Sequence, residues 1–279
     1  MRLFKKSNSI WQSRGWFLLP SLAGVTLFVI LPFGYMLFSS FSNGFVNYKT
    51  VLANEAFHLA VKNTLWFTGV GIPLLLFFSF AAALGIYKSK YMRLLKSVYL
   101  LPMAVPTAVV VLIWKVFFHK AGVLNQILEL FQIQAADWLS GGMAFWVLII
   151  SYIWKNLGYT IVLWLAGMSA IPTAITEAAR VDGASEWQCI RYMILPQLKP
   201  VFYTVTMLSF LNSFKVFREA YLVAGAYPQK SMYLLQHLFH NWFTNLDMDK
   251  ISAAAALLAV FFALCSLALQ NMWEKEEFS

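Results

Sequence analysis

The stretch Glu177–Pro196, EAARVDGASEWQCIRYMILP, is a polar insert between two long apolar runs of the sequence. Its pattern predicts a short helix around residues 176–180, a turn at Asp182-Gly183 and a second helix that stops at Pro196. Gly183 permits a sharp change of direction that a residue with a Cβ atom would resist. A tether between antiparallel helices needs only a few residues. The insert is therefore predicted to be either a docking element or an amphipathic helix at the lipid surface.

The remainder of the chain is too apolar for a water-soluble protein. Of its 279 residues, 60% are hydrophobic and 12% are charged, whereas a soluble domain carries roughly 25% charged residues. Because about 20 apolar helical residues span the ~30 Å of a membrane interior, the sequence predicts an all-α, polytopic membrane protein with six transmembrane helices. The predicted spans are 16–41, 64–87, 97–118, 143–171, 201–224 and 251–273.

These spans predict one transmembrane domain over 15–273, which includes a polar loop at 172–200. A segment at 1–14 precedes the domain and a tail at 274–279 follows it. The net charge of +9 would suggest a nucleic-acid partner for a soluble protein. Here twelve Lys and Arg residues lie on one side of the predicted spans and five on the other. The positive-inside rule accounts for this bias and places the 172–200 loop and both termini in the cytoplasm, with no nucleic-acid partner.

The polar insert resembles the EAA loop in permease subunits of binding-protein-dependent ABC importers. That loop carries E-A-A, a glycine four residues after the second alanine, and then I-x-L-P. Here these positions are Glu177-Ala178-Ala179, Gly183 and Met193-Ile194-Leu195-Pro196. The longer run from Ile171 to Ala184 is typical of sugar-importer permeases similar to the maltose and glycerol-phosphate systems. The similarity extends over nearly the whole chain.

The resemblance implies the type I ABC importer permease fold in a bacterial cytoplasmic membrane. It also implies four partners besides lipid: a second permease subunit of similar fold, two cytoplasmic ATPase subunits, and an extracytoplasmic solute-binding protein. The chain has no G-x-x-x-x-G-K-[ST] loop. We therefore expect no cofactor and no catalysis in this chain, with ATP and Mg²⁺ bound by the ATPase subunits.

The resemblance further implies that the loop inserts into a cleft of an ATPase subunit. Glu177 would pair with a basic residue there, the small alanines would allow close approach, and Gly183 would shape the turn. The coupling residues implied in this way are Glu177, Ala178, Ala179, Asp182, Gly183, Leu195 and Pro196.

Polar residues inside the predicted spans are candidates for a substrate pathway, because charges in lipid are costly and usually face a cavity or each other. Lys155 lies near the middle of the fourth span, where neighbouring aromatic and amide groups suit a sugar. The same side chains could instead hold helices together. The predicted pathway residues are Trp154, Lys155, Asn156, Tyr159, Ser209, Asn212, Ser213 and Arg218.

The fifth span also contains Lys215 and Glu219, which at i, i+4 spacing can pair and leave Arg218 without an obvious partner. In the resembling family an acidic residue is common near position 218, and Gly-Gly-Pro often follows where Gly225-Ala226-Tyr227-Pro228 stands here. Lys155 and Arg218 together also admit an anionic cargo, such as a uronate-containing saccharide or glycerol phosphate.

Two other classes of protein compete with the importer permease. A membrane-embedded enzyme needs a nucleophile, base or metal set at membrane depth, but Glu219 is the only acidic residue within the predicted spans. No metal site is predicted, because His237 and His240 lack a third ligand nearby in the sequence. An ion-coupled secondary carrier favours inverted repeats and unpaired acids in its spans, and the two halves of the chain show no such repeat.

Overall fold

The computed structural model describes residues 18–87, 89 and 91–277, and every regular element within these ranges is helical. The helices are α1 (Leu18–Ser40), α2 (Val46–Leu52), α3 (Glu55–Tyr87), α4 (Met92–Ala104), α5 (Thr107–Phe117), α6 (Val123–Leu130), α7 (Met143–Ala170), α8 (Thr173–Val181), α9 (186–197), α10 (Lys199–Ser213), α11 (Phe217–Ala224), α12 (Leu235–Thr244) and α13 (Met248–Glu277). The predicted segment 1–14 lies outside the described residues, as do the last two residues of the predicted tail 274–279.

The predicted all-α membrane fold is confirmed, but the count of six spans is not. Among the described residues, four helices are long and apolar enough to cross a membrane: α1, α3, α7 and the Met248–Ala268 part of α13. The predicted span 97–118 is wrong as a single helix, because α4 and α5 meet at an angle of 91°. The predicted span 201–224 is also broken, since a 3₁₀ turn over Phe214–Val216 separates α10 from α11.

The chain forms two compact units, one of which is Glu55–Asn241. In this unit α3 and α7 pack along one another and bury two apolar clusters. One cluster contains Phe67, Leu148 and Tyr152, and the other contains Ala83, Trp164 and Leu165. Trp164 donates its indole N–H to Ser79 Oγ at 3.0 Å, which satisfies a polar group that would be costly to bury alone.

The packing of α4 against α7 depends on a glycine. A Cβ atom at Gly158 of α7 would overlap the backbone carbonyl oxygen of Tyr99 in α4. Only the missing side chain lets the two backbones approach this closely, as small residues do at helix interfaces in membranes. This contact holds α4 on α7 just before the sharp bend into α5.

The other unit comprises the described parts of Met1–Asn54 and Trp242–Ser279. In it α13 packs against α1 and α2. Tyr48 of α2 lies 2.7 Å from Ser40 at the end of α1, measured between their hydroxyl oxygens. The apolar side chains of α1 are largely exposed, including Phe28 and Phe38. An exposed apolar helix face is the expected surface of a protein whose solvent is lipid.

Candidate functional site

A polar cavity of about 520 Å³ lies within the Glu55–Asn241 unit. One wall is the α4–α5 bend, from Met103 to Thr107. The second wall is the middle of α7, and the third is the broken region between α10 and α11. The polar side chains that line the cavity are Thr107, Tyr152, Lys155, Asn156, Tyr159, Asn212, Lys215, Arg218 and Glu219.

Both interruptions of helical backbone in this region face the cavity. At the first, Val105 is extended (φ −75°, ψ 128°) because a residue before proline is disfavoured in the helical region, and Pro106 follows it. At the second, the 3₁₀ turn contributes Lys215 and Val216 to the lining. Irregular backbone at membrane depth is tolerated where it is buried in protein or lines a water-filled cavity. Both breaks thus lie where irregular backbone is shielded from lipid, beside the polar side chains of the cavity.

Lys155 joins the three walls of the cavity. Its Nζ atom lies 2.5 Å from Glu219 Oε1 on α11 and donates a hydrogen bond of 2.7 Å to Thr107 Oγ1 at the start of α5. Glu219 is 4% exposed, so this ion pair is largely removed from solvent. The sequence-based pairing of Glu219 with Lys215 is wrong, because α7 brings Lys155 to the carboxylate instead.

Lys215 belongs to a second polar chain along the cavity. Its Nζ atom donates to Asn212 Oδ1 at 2.8 Å, and Asn212 Nδ2 donates to the Tyr159 hydroxyl at 3.0 Å. The Tyr159 hydroxyl in turn lies 3.5 Å from Ser209 Oγ. Within the described part of the chain, Arg218 makes no hydrogen bond or ion pair, although its side chain lines the same cavity. Arg218, an exposed cation, and Lys215, a lysine with a single neutral partner, thus face this space.

Five of the eight predicted pathway residues line the cavity: Lys155, Asn156, Tyr159, Asn212 and Arg218. Ser209 is buried behind Tyr159, and Ser213 is buried with its hydroxyl donating to Phe210 O. Trp154 does not line the cavity, because its ring packs edge-on against Trp114 at 5.5 Å between centroids.

Sequence reasoning missed several lining residues. Thr107 and Tyr152 are neutral side chains with no pattern that singles them out, and the Tyr152 hydroxyl donates to the carbonyl of Ser209 at 2.7 Å. The spacing of Lys215 and Glu219 in the sequence indicates a structural pair and not a cavity lining. The proline pair at positions 102 and 106 was the one signal that could have located the α4–α5 wall.

The polar insert folds as a helix, a turn and a second helix. The amide of Ala184 donates to Ala179 O at 2.9 Å, and the amide of Gly183 donates to Arg180 O at 3.0 Å. This is the Schellman arrangement that closes a helix end, and it requires a residue with positive φ at the position of Gly183. Gly183 has φ +87°, so the predicted turn at Asp182-Gly183 is present, and its glycine is needed for the backbone conformation.

The second helix of the insert begins with a reciprocal cap. The amide of Gln188 donates to Ser185 Oγ at 3.3 Å, and the amide of Ser185 donates to Gln188 Oε1 at 2.7 Å. The predicted stop at Pro196 is wrong, because helical backbone continues through Gln197. The turns over Cys189–Ile194 are of π type. Pro196 follows them and has no amide hydrogen, so one ordinary hydrogen bond of the α-helix cannot form at this point.

One face of the insert is anchored and the other is exposed. Ile194, and Leu198 just after the insert, are buried in the cluster that α3 and α7 form around Trp164. Ala179 is buried within the insert, whereas Glu177, Ala178, Asp182, Leu195 and Pro196 are exposed. Val181 and Trp187 are 88% and 66% exposed. The insert thus presents a carboxylate and apolar side chains outward while its base is fixed to the membrane helices.

The fold and these sites can be compared with those of known proteins. The model of the family described as binding-protein-dependent transport system inner membrane component matches residues 76–275. The chain belongs to this family. It is accordingly a multi-pass inner-membrane component of a transport system and not an enzyme by itself, so the resemblance found in the sequence is confirmed.

Individual relatives agree with this assignment. The trehalose/maltose transport system permease protein MalF of Thermococcus litoralis is 30% identical over 262 residues, which cover 88% of each chain. The probable starch degradation products transport system permease protein AmyD of Thermoanaerobacterium thermosulfurigenes is 25% identical over 288 residues, 97% of this chain and 96% of that protein.

A solved structure shows the same fold. One chain in the crystal structure of the bacterial alginate ABC transporter, in complex with alginate pentasaccharide-bound periplasmic protein, has a TM-score of 0.84 to this permease. The two chains are 24% identical, over 98% of this chain and 97% of that chain. This likeness identifies the fold alone.

Proposed function

We propose that this permease imports a carbohydrate, with ATP hydrolysed by separate cytoplasmic subunits that dock on the polar insert within the 172–200 loop. The observation that carries the proposal is the convergence of two helix breaks on one polar cavity, with Lys155 bridging both of them. Relatives whose names refer to trehalose, maltose and starch degradation products support a saccharide as the cargo.

The complete transporter would contain a second permease subunit, two ATPase subunits and an extracytoplasmic binding protein, with both termini of this chain in the cytoplasm. The anchoring of the insert supports its role in coupling. Since Ile194 and Leu198 are buried in the apolar cluster of α3 and α7, a partner that moves the exposed face of the insert would also move these two helices. Glu177 and Ala178 on α8 are the exposed residues we assign to that partner.

The test is ATP hydrolysis by the transporter purified from its native membrane with its co-purifying subunits. We expect a binding protein loaded with saccharide to stimulate hydrolysis, and the empty binding protein to stimulate it less. Absence of any co-purifying ATPase would contradict the coupling role of the insert. It would favour the alternative that the insert is an amphipathic helix at the lipid surface.

A substitution in the insert separates coupling from membrane insertion. Glu177→Lys reverses the charge of an exposed residue on the docking face. We expect this variant to insert normally but to lose at least tenfold in saccharide uptake, because a lysine repels the basic residue assigned to the partner. Glu129→Lys, at an exposed carboxylate on α6, is the matched control. Wild-type uptake by the Glu177→Lys transporter would refute the assignment.

A further inference from the structure

We infer that the cargo of this cavity carries an oxyanion, a carboxylate or a phosphate, which Lys215 and Arg218 bind together. The inference rests on the proposed function, namely that a saccharide passes through the cavity, and it restricts the class of saccharide. It follows from the balance of charge, the geometry of the donors and the shortage of aromatic ring faces in the lining.

The described lining of the cavity has a positive excess. Three of its side chains are cationic and one is anionic. Lys155 and Glu219 neutralise each other at 2.5 Å, so Lys215 and Arg218 supply the excess. A cation within a membrane protein is costly unless an opposite charge or a hydrated space offsets it. The only negative charge that the described lining could offer is already committed to Lys155, so a negative charge on the cargo would fill the deficit.

The free donors suit an oxyanion better than a neutral sugar. Arg218 presents a planar fork of N–H donors that matches carboxylate and phosphate oxygens in pairs. Lys215 has three donor hydrogens, and its contact with Asn212 uses one of them. Both residues line the cavity and belong to its third wall, three positions apart at the 3₁₀ turn. An anion placed between them would accept from both without requiring any donor of its own.

The cavity offers few aromatic faces on which a neutral sugar could stack. Neutral saccharides are bound largely by stacking their C–H faces on aromatic rings, and two of the described lining residues are aromatic, Tyr152 and Tyr159. The Tyr152 side chain is 2% exposed and packs edge-on against Phe67. Trp154, the indole nearest to Lys155 in the sequence, packs against Trp114 instead. The lining therefore offers charged and hydrogen-bonding side chains but few aromatic faces for stacking.

The experiment uses the complete transporter with its binding protein in proteoliposomes that contain ATP. Uptake is measured for oligogalacturonates of two to four units, for the same oligosaccharides after reduction of their carboxyl groups, for neutral maltooligosaccharides, and for glycerol phosphate. We expect uptake of an acidic solute to exceed that of its neutral counterpart at least tenfold. Uptake of oligogalacturonate identifies a carboxylate as the bound group, and uptake of glycerol phosphate alone identifies a phosphate.

Variants link this selectivity to the two cations. The double variant Lys215→Gln/Arg218→Gln should lower acidic uptake at least tenfold, while Lys215→Arg, which preserves the charge, retains most of it. Arg218→Lys keeps the charge but loses the paired donors, so we expect it to retain less uptake than Lys215→Arg. Lys62→Gln removes an exposed lysine of α3 that does not line the cavity, and we expect it to have no effect. Co-purification of the ATPase subunits verifies that each variant is assembled.

The outcomes of the experiment distinguish the inference of an oxyanion cargo from the proposed function of carbohydrate import. Uptake of neutral saccharides alone, unchanged in the double variant, overturns the inference but leaves the proposed function intact. Acidic uptake that the double variant does not alter also overturns the inference. If no saccharide of either kind enters and no loaded binding protein stimulates ATP hydrolysis, the proposed function fails and the inference fails with it.

Discussion

Lys155 and Glu219 form an ion pair in the lining of the cavity. Their positions explain how both charges are tolerated in an apolar environment. A buried charge is tolerated when it is paired and hydrogen-bonded. Lys155 has both a carboxylate and a hydroxyl as partners, on α11 and α5 respectively. The side chain thus connects α7 with the two elements that follow helix breaks, and its loss affects more than one contact.

Removal of the carboxylate should therefore destabilise the permease. Glu219→Gln leaves Lys155 charged and without its counter-ion. Breaking a fully buried pair from one side costs about 3–5 kcal/mol, and we expect a smaller cost here because the Lys155 side chain is 24% exposed. We expect a clear fall in the thermal unfolding temperature of the purified transporter. Glu129→Gln, at an exposed carboxylate of α6, should leave that temperature unchanged.

The double variant Lys155→Met/Glu219→Gln tests the reason for this effect. Since no unpaired charge remains, much of the lost stability should return. If the double variant were as unstable as Glu219→Gln alone, the cost would come from packing around position 219 and not from the orphaned lysine.

His237 gives the segment that contains α12 a dependence on pH. The imidazole is fully buried, its Nδ1 accepts from the amide of Leu234 at 3.1 Å, and its ring packs against Phe217. Burial, with a smaller contribution from the charge of His240, lowers the pKa of His237 from 6.5 to about 4. The unfolded segment consequently binds a proton between about pH 6.5 and 4 that the folded segment does not bind.

The sign of the effect follows from this difference in proton binding. The folded segment has its full stability above pH 6.5 and loses it as the pH falls towards 4, by at most about 3 kcal/mol. Hydrogen exchange of the amides of 230–241, corrected for the intrinsic effect of pH, should show more opening at pH 5 than at pH 7. His237→Gln should abolish this difference, and His58→Gln, at an exposed histidine, should preserve it. Equal opening at both pH values in the wild type would contradict the prediction.

At the scale of elements, hydropathy predicts where helices lie better than it predicts where they break. The runs 97–118 and 201–224 are apolar enough to have been predicted as single spans, because window hydropathy measures length and polarity and not straightness. The first break has a visible cause in Val105-Pro106. The second break lies in the run 201–224, which contains no proline or glycine, so its charged residues are the only sequence feature there that indicates an irregular backbone.

The turn of the polar insert provides a sharp test of coupling. Because Gly183 has φ +87°, a β-branched residue there would be strained, whereas asparagine tolerates this conformation. We expect Gly183→Val to keep the permease in the membrane but to reduce uptake at least tenfold relative to the rate of ATP hydrolysis. Gly183→Asn should retain most of the coupling. Equal effects of the two substitutions would mean that the loss does not arise from backbone strain at the turn.

At the scale of the whole molecule, composition was sufficient to predict a helical membrane protein, and the E-A-A pattern was sufficient to predict its family. The contacts of the cavity could not be predicted in the same way. Lys155 and Glu219 are 64 positions apart in the sequence, so only the packing of α11 near α7 brings them together. Local spacing favoured Lys215 as the partner of Glu219, and a rule for neighbouring turns of one helix does not apply across a 3₁₀ break.

The number of membrane crossings depends on the broken helical path through α10 and α11. If this path crosses the membrane, Ser185 and Pro228 lie on opposite sides of it. A sixth crossing, by α13, then places the C-terminus in the cytoplasm, as the positive-inside rule predicts. Alkaline phosphatase, which is active only outside the cytoplasm, should be inactive when fused after Ser185 or at the C-terminus and active when fused after Pro228. A fusion after Gln132, between α6 and α7, should also be active and serves as the external reference. Equal phosphatase activity at Ser185 and Pro228 would show that the chain re-enters the same side, because the 3₁₀ turn would then reverse the path instead of only interrupting it.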